Sequence, residues 1–247
     1  MSTFTSGDAA VVITRVAERH WHALEDDRVV GRGEATLRPD GRIFLSIDAW
    51  HGAVFDQLAA TMLPDLPRPL YTVVDEADVD LTSHWERAGF TTRRREWEYV
   101  VPTDVARPAS PGVTIEPARE APLRELDRAI RAEVEATVGW PEMPAEVVTR
   151  PVPDPAKCTV ATESGRYVGM VRVVPLRQPR IGLIAVRAEW QRRGIGRALL
   201  AHVLGALHSS GLESASAEVT EANSAAIALF EGFGARRAGS NLELVVR

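Results

Sequence analysis

The sequence holds a single cysteine, Cys158, in 247 residues. One cysteine excludes an intrachain disulfide and a cysteine metal cluster. The six histidines form no H-E-x-x-H pattern, so no metal site is expected. No apolar run is long enough to span a bilayer. Met1 to Ala10 is polar and lacks a charged-then-apolar signal pattern, so a cytoplasmic protein with no membrane partner is expected. Lysine is almost missing too: Lys157 stands alone among 29 lysines and arginines. That bias reads as codon usage in a GC-rich bacterial genome and not as chemistry. The formal net charge of -5 argues against a nucleic-acid partner, because phosphate binding needs a basic surface. The one dense basic run, Arg93 to Arg95, sits beside Glu96 and Glu98 and reads as a solvated strand edge.

What is present is an ordinary globular mixture arranged as two similar halves. A stretch rich in proline and small residues, Val101 to Gly112, reads as a linker. Asp27-Arg-Val-Val-Gly31 lies between two strand-like runs, and Gly165-Arg-Tyr-Val-Gly169 does the same. Each is a hairpin signature. A third strand follows in each half, Arg42 to Ile47 and Ile181 to Val186. A tryptophan closes each strand (Trp50, Trp190). Helices with apolar positions at helical spacing come next, Ala53 to Leu63 and Gly196 to Leu207. The ends align without gaps: Trp85-Glu-Arg-Ala-Gly89 on Phe230-Glu-Gly-Phe-Gly234, and Trp97 to Val101 on Leu242 to Val246. Shared element order over most of each half points to duplication. The C-terminal half adds a helix over Leu123 to Val138. The halves also differ after the tryptophan: His51-Gly52 in one, Gln191-Arg-Arg-Gly-Ile-Gly196 in the other.

That second loop carries the chemistry. It follows a strand and opens an amphipathic helix. Gly194 and Gly196 let the backbone approach a ligand. Free N–H groups at the helix start make an anion site, and Arg192, Arg193 and Arg197 add positive charge for phosphates. A pyrophosphate-bearing ligand fits this pattern.

The loop resembles the Q/R-x-x-G-x-G/A signature of the GNAT superfamily of N-acetyltransferases, met by Gln191, Gly194 and Gly196. Downstream, Asn223 and Leu229-Phe-Glu-Gly-Phe-Gly234 are similar to the family's N-x-x-A-x-x-L-Y-x-x-x-G-F ending. The resemblance covers Gly112 to Arg247 well and Val11 to Val101 in outline. It implies an α/β (α+β) fold of two GNAT-like domains, each a mixed, mostly antiparallel twisted sheet flanked by helices. Residues 1–102 form a degenerate domain, 103–111 the linker and 112–247 the acetyltransferase domain. The cosubstrate it implies is acetyl-CoA, with no metal. The implied contacts are Ile184, Ala185 and Val186 for the pantetheine arm and acyl carbonyl, Gln191, Arg192, Arg193, Gly194, Ile195, Gly196 and Arg197 for the pyrophosphate, and Asn223 and Phe230 from the ending.

Direct attack of an amine on the thioester follows from the same resemblance, with a backbone N–H near Ala185 or Val186 as oxyanion donor. The family's frequent tyrosine acid is Phe230 here, which cannot donate a proton. Glu218, near the end of the next strand, is the candidate base. Glu133, Glu135 and Glu142 are candidates to bind a cationic amine, and Trp140 and Met143 to line its pocket. His202 and His208 read as packing or surface residues, and Cys158 as inert core. A small-molecule amine is the expected acceptor, and a monomer or homodimer the expected state. The alternatives are a non-catalytic acyl-CoA-binding module and a thiol-pathway enzyme of the mycothiol synthase type.

Overall fold

The computed structural model describes residues 10–38, 40–105, 112–139 and 153–247. The first half runs β1 (Val12–Ala17), β2 (His20–Glu25), β3 (Arg28–Leu37), β4 (Ile43–Ala49), α1 (Gly52–Met62), β5 (Leu70–Asp75), α2 (Val79–Arg87) and β6 (Thr91–Pro102). The second runs β7 (Thr114–Pro117), α3 (Glu120–Thr137), β8 (Cys158–Glu163), β9 (Arg166–Val174), β10 (Arg180–Val186), α4 (Ile195–Ser209), β11 (Ser214–Thr220), α5 (Ser224–Glu231) and β12 (Arg236–Val246). The expected hairpins, third strands and helices are all present, with ends shifted by a few residues.

The chain folds into two compact units, but not by cutting at the proline-rich segment. One unit is residues 1–95 with 241–247; the other is 96–240. Each unit therefore takes its last strand from the other half of the sequence. In the first unit the strand order is β1-β2-β3-β4-β5-β12. β12 joins antiparallel to β5 through Asn241 to Val246. In the second unit the order is β7-β8-β9-β10-β11-β6, and β6 joins antiparallel to β11 through Glu96 to Pro102.

Antiparallel pairing dominates both units, with one parallel contact in each. β4 meets β5 only at Ile43–Leu70 and Phe44–Tyr71. β10 meets β11 only at Arg180–Ser216 and Ile181–Ala217. Beyond two residues the parallel neighbours part.

Glycines in the preceding strand explain how the helix comes in so close. A Cβ on Gly169 would stand 3.1 Å from the Ala185 carbonyl oxygen and 3.3 Å from Leu199. A Cβ on Gly31 would stand 3.3 Å from the Asp48 carbonyl oxygen and 2.8 Å from Val54. The two glycines hold the same register, Gly31 opposite Ala49 and Gly169 opposite Val186.

The cores follow from the periodicities. α4 buries Ala198, Leu199, Leu200, Val203 and Leu204 against β9, β10 and β11 residues such as Val171, Ile181 and Ala217. Burial of each large side chain contributes about 1.5–3 kcal/mol. The helix stops at Gly211 (φ +79°), whose N–H bonds the His208 carbonyl at 2.9 Å while Leu212 bonds Leu207 at 3.1 Å, a left-handed cap that satisfies the last carbonyls. α3 covers a separate cluster: Leu123, Leu126 and Ile130 pack on Cys158, Val160, Tyr167 and Met170.

The arginine run is not a solvated edge. Glu243, 3% exposed, accepts from Arg93 and, at 2.8 Å, from Arg94. Arg42 stands 4.0 Å away. Arg95 forks onto Glu76 at 2.7 and 2.8 Å. A buried carboxylate is tolerable only when paired and hydrogen-bonded in this way.

Candidate active site

The second unit's site starts at the irregularity in β10. Its pairing with β9 shifts register between Ile181 and Leu183, around Gly182. The parallel contact with β11 ends at Ile181. From Leu183 to Val186 the strand thus pairs with β9 on one side and leaves β11 on the other. Ile184, Ala185 and Val186, the contacts the resemblance implies for the pantetheine arm, lie on this splayed segment.

The strand end leads into the glycine loop. Gln191 turns back and donates its Nε2–H to the Val186 carbonyl at 3.1 Å, which ties the loop to the strand it leaves. Arg192 takes a positive φ of 64°. Gly194, at φ 78°, ψ 2°, is the N-cap of α4 and offers no side-chain cap. A left-handed residue at this point favours glycine. The first bond inside the helix is Ala198 N–H to the Gly194 carbonyl, 3.0 Å. The N–H groups of Ile195, Gly196 and Arg197 precede it and form the positive end of the helix. A Cβ on Gly194 would meet nothing within 4 Å, so space lies open over the loop.

Two of the arginines are already positioned around this helix start. Arg193 lies over the Trp190 ring, 4.5 Å from its centroid, and 3.8 Å from Glu163. Arg197 lies 5.0 Å over Phe233. Asn223 caps α5, accepting from Ala226 N–H at 3.1 Å, and its amide nitrogen is left to donate elsewhere. Phe230 is buried on α5, its ring stacked 6.2 Å from Tyr99.

Tyr99 was not singled out by the sequence. Its hydroxyl donates to Glu231 at 3.0 Å and accepts from Arg237 Nε at 3.1 Å. Arg237 in turn covers Trp97 at 4.3 Å. Burial raises the phenol above its ordinary value, against the opposing pull of Arg237. Tyr99 therefore keeps its proton at neutral pH and braces Phe230 from behind.

Glu218 stands at the point where β10 and β11 separate, and its carboxylate accepts from Arg180 at 2.7 Å. Its place suits a proton acceptor near the splay, but an ion pair already engages it. Glu133 does not project as an acceptor-binding carboxylate. It accepts from the Arg187 guanidinium and from the Ala188 N–H, the latter at 2.9 Å. Trp140, Glu142 and Met143 lie outside the described residues. A hollow of about 410 Å³ lined by Arg177, Gln178, Pro179, Leu212, Glu213 and Ser214 is at the opposite end of β11 and holds none of these residues. Among the described residues no three potential metal ligands cluster, and no helix is long and apolar enough to cross a membrane.

The first unit presents the corresponding helix start differently. His84 packs over Gly52 so closely that any Cβ there would collide with its ring. Asp56 holds the His84 Nδ1 at 3.3 Å and Arg87 at 3.4 Å. In the second unit the residue at the matching place is Leu229, 3.8 Å from a Cβ on Gly196. The loop of the first unit is short, and an imidazole covers the helix start.

A mixed, mostly antiparallel sheet with one splayed parallel contact and a glycine loop opening a helix is the GNAT fold. Residues 124–235 match the profile of the acetyltransferase (GNAT) family. Among curated proteins, the ribosomal protein bS18-alanine N-acetyltransferase of Escherichia coli (strain K12) is 38% identical over 74 residues, 30% of this chain and 50% of that protein. Its namesake from Salmonella typhimurium is 47% identical over 51 residues, 21% of this chain and 34% of that protein. The chain thus spans half or less of the length of these curated relatives. A solved GCN5-related N-acetyltransferase from Sphaerobacter thermophilus superposes with a TM-score of 0.68 at 18% identity, over 94% of this chain and 82% of that one. A tandem GNAT protein from the clavulanic acid biosynthesis pathway gives 0.63 at 16% identity, over 92% and 82%. At such identities the superpositions speak for the fold, and the profile match adds support for the GNAT acetyltransferase class.

Proposed function

We propose that the chain is an acyl-CoA-dependent N-acetyltransferase whose second unit carries the whole site. The observation that carries this reading is the junction of the splayed β10 with an uncapped, glycine-led helix start. One element offers strand backbone to an extended arm; the other offers N–H groups and arginines to phosphates. We also read the chain as two GNAT-like halves, 1–102 and 112–247 joined by 103–111, the first degenerate. The matched pairs Gly31/Gly169 and Gly52/Gly196, and the equal strand orders, support that reading.

Acetyl-CoA supplies the acyl thioester. The chain's residues hold and shield it. Gly194 to Arg197 face the pyrophosphate, and Ala185 or Val186 gives a backbone N–H to the thioester carbonyl oxygen. Asn223 gives its remaining amide donors, and Phe230 forms an apolar wall where relatives place a proton donor. Glu218 receives the proton of the attacking amine on Oε2, the oxygen that Arg180 does not engage. Binding and alignment alone supply much of such a rate.

The acceptor is an amine. A small molecule is our first reading. The names of the curated relatives favour a second one, a protein or peptide amine on alanine. Calorimetry with acetyl-CoA tests the site, and a thiol-release assay tests the reaction. The assay panel holds small primary amines, a cysteinyl pseudodisaccharide and an alanine peptide with a free α-amine. Failure to bind acetyl-CoA overturns the site. Binding without transfer to any amine supports the non-catalytic module instead.

A further inference from the structure

We infer that Glu133 is a positioning residue for the cofactor loop, through which the helix α3 controls acetyl-CoA affinity. The inference rests on the proposed site at Gln191 to Arg197. It starts from a local deficiency. The single 3₁₀ turn Ala188–Trp190 opens the β10–α4 loop, and its N-cap residue, Arg187, makes no side-chain cap. The Ala188 N–H is one of the donors that such a turn leaves over.

Glu133, 55 residues earlier in the chain, satisfies it: Oε2 accepts the Ala188 N–H at 2.9 Å. Its other oxygen accepts Nε–H of Arg187. One carboxylate thus grips both the backbone and the side chain at the base of the loop. The grip extends into the fold, since the Arg187 N–H bonds the Val168 carbonyl at 2.9 Å and Trp190 N–H bonds the Arg187 carbonyl at 2.9 Å. Trp190 is the ring on which Arg193 rests. The path from Glu133 to the phosphate-facing arginine is therefore four residues of fixed contacts: Glu133, Arg187, Trp190, Arg193.

The opposite end of the linkage matters as much. Glu133 lies on α3, whose Leu123, Leu126 and Ile130 bury the face of the sheet bearing Leu183 and Ala185. The same helix that covers the splayed strand also holds the loop after it. A shift of α3 toward or away from the sheet moves the Arg187–Trp190 turn with it, so whatever binds against α3 alters affinity at the loop, and the reverse.

The test uses the full chain with Glu133→Ala and Glu133→Gln, two acyl donors and thermal melting. Acetyl-CoA carries the pyrophosphate, and S-acetylpantetheine lacks it. Charge-assisted hydrogen bonds to a largely buried carboxylate, 27% exposed, predict that Glu133→Ala weakens acetyl-CoA binding and lowers its kcat/KM roughly tenfold. At saturating acetyl-CoA kcat stays within about twofold, and kcat/KM with S-acetylpantetheine is unchanged. Glu133→Gln keeps an acceptor for Ala188 N–H but loses the charge for Arg187, and recovers part of the affinity. Equal losses with both donors would mean a general structural role and overturn the inference. So would wild-type affinity in a folded Glu133→Ala chain while the wild type binds acetyl-CoA. If the wild type itself binds no acetyl-CoA, the site reading fails first and this inference with it.

Discussion

Replacing Gly196 by glutamate separates cofactor recognition from folding. A Cβ at this position would have Leu229 and Val186 methyls at 3.8 Å, ordinary van der Waals contact. The side chain therefore fits, and the backbone is not in the left-handed region that Gly194 occupies at φ 78° and that a side chain would strain. Removing a glycine from a helix gains up to about 1 kcal/mol. A carboxylate in the first turn gains roughly 0.3–1 kcal/mol more from the helix dipole. The unliganded chain should melt at an equal or higher temperature. A phosphate seated on the same N–H groups then meets the carboxylate. Two unit charges about 4 Å apart repel by about 4 kcal/mol at an effective dielectric of 20. With half of that lost to solvent and side-chain rotation, about 2 kcal/mol remains, or roughly thirtyfold in Kd. Isothermal calorimetry with acetyl-CoA, beside a thermal melt, reads both quantities on one sample. Gly196→Ala is the control: it adds the Cβ without the charge and should cost less than about fivefold. Wild-type affinity in a folded Gly196→Glu chain would refute the phosphate reading of this loop. An equal loss in Gly196→Ala would show crowding, not charge, at work.

Three further outcomes are expected. Acetyl-CoA should bind with a stoichiometry near one per chain, because His84 covers the helix start at Gly52; a calorimetric stoichiometry of two would contradict this. Phe230→Tyr should keep acetyl-CoA affinity and change kcat modestly, whereas Phe230→Ala should weaken both and lower stability by about 3–5 kcal/mol, measured by steady-state kinetics and urea melts. Glu243→Ala removes the buried carboxylate that Arg93 and Arg94 share and should destabilise the first unit by about 3 kcal/mol, read from chemical denaturation followed at a tryptophan of that unit.

The strand, the glycine turn and the helix start were legible because their pattern is local: a strand, a turn with two glycines, a helix and three arginines within a few residues. The hairpins and the helix spacing were legible for the same reason. Glu133 was not, since its role depends on Arg187 and Ala188, more than fifty residues away, and glutamate on a helix has the same pattern whether it meets water or a loop. The arginine run misled in the opposite way. Its charged neighbours in sequence suggested solvent, while its partner, Glu243, sits 150 residues downstream of Arg93. The similarity of Trp97–Val101 to Leu242–Val246 was visible, yet similarity between two strands also makes each a fit beside the other's neighbour. Pattern alone does not say which pairing is taken.

That choice of pairing has a consequence for how the chain comes into being. During vectorial synthesis, Thr91 leaves the ribosome 154 residues ahead of Val245, whose carbonyl it is to meet. At the usual pace of about 5–20 residues per second, the delay is on the order of ten to thirty seconds. Through that interval β5 has an open edge, with its backbone groups unsatisfied. The N-terminal half is the first to be made and the last to be finished. An open edge of this kind is a template for pairing with another chain, and slow translation of the second half prolongs its exposure.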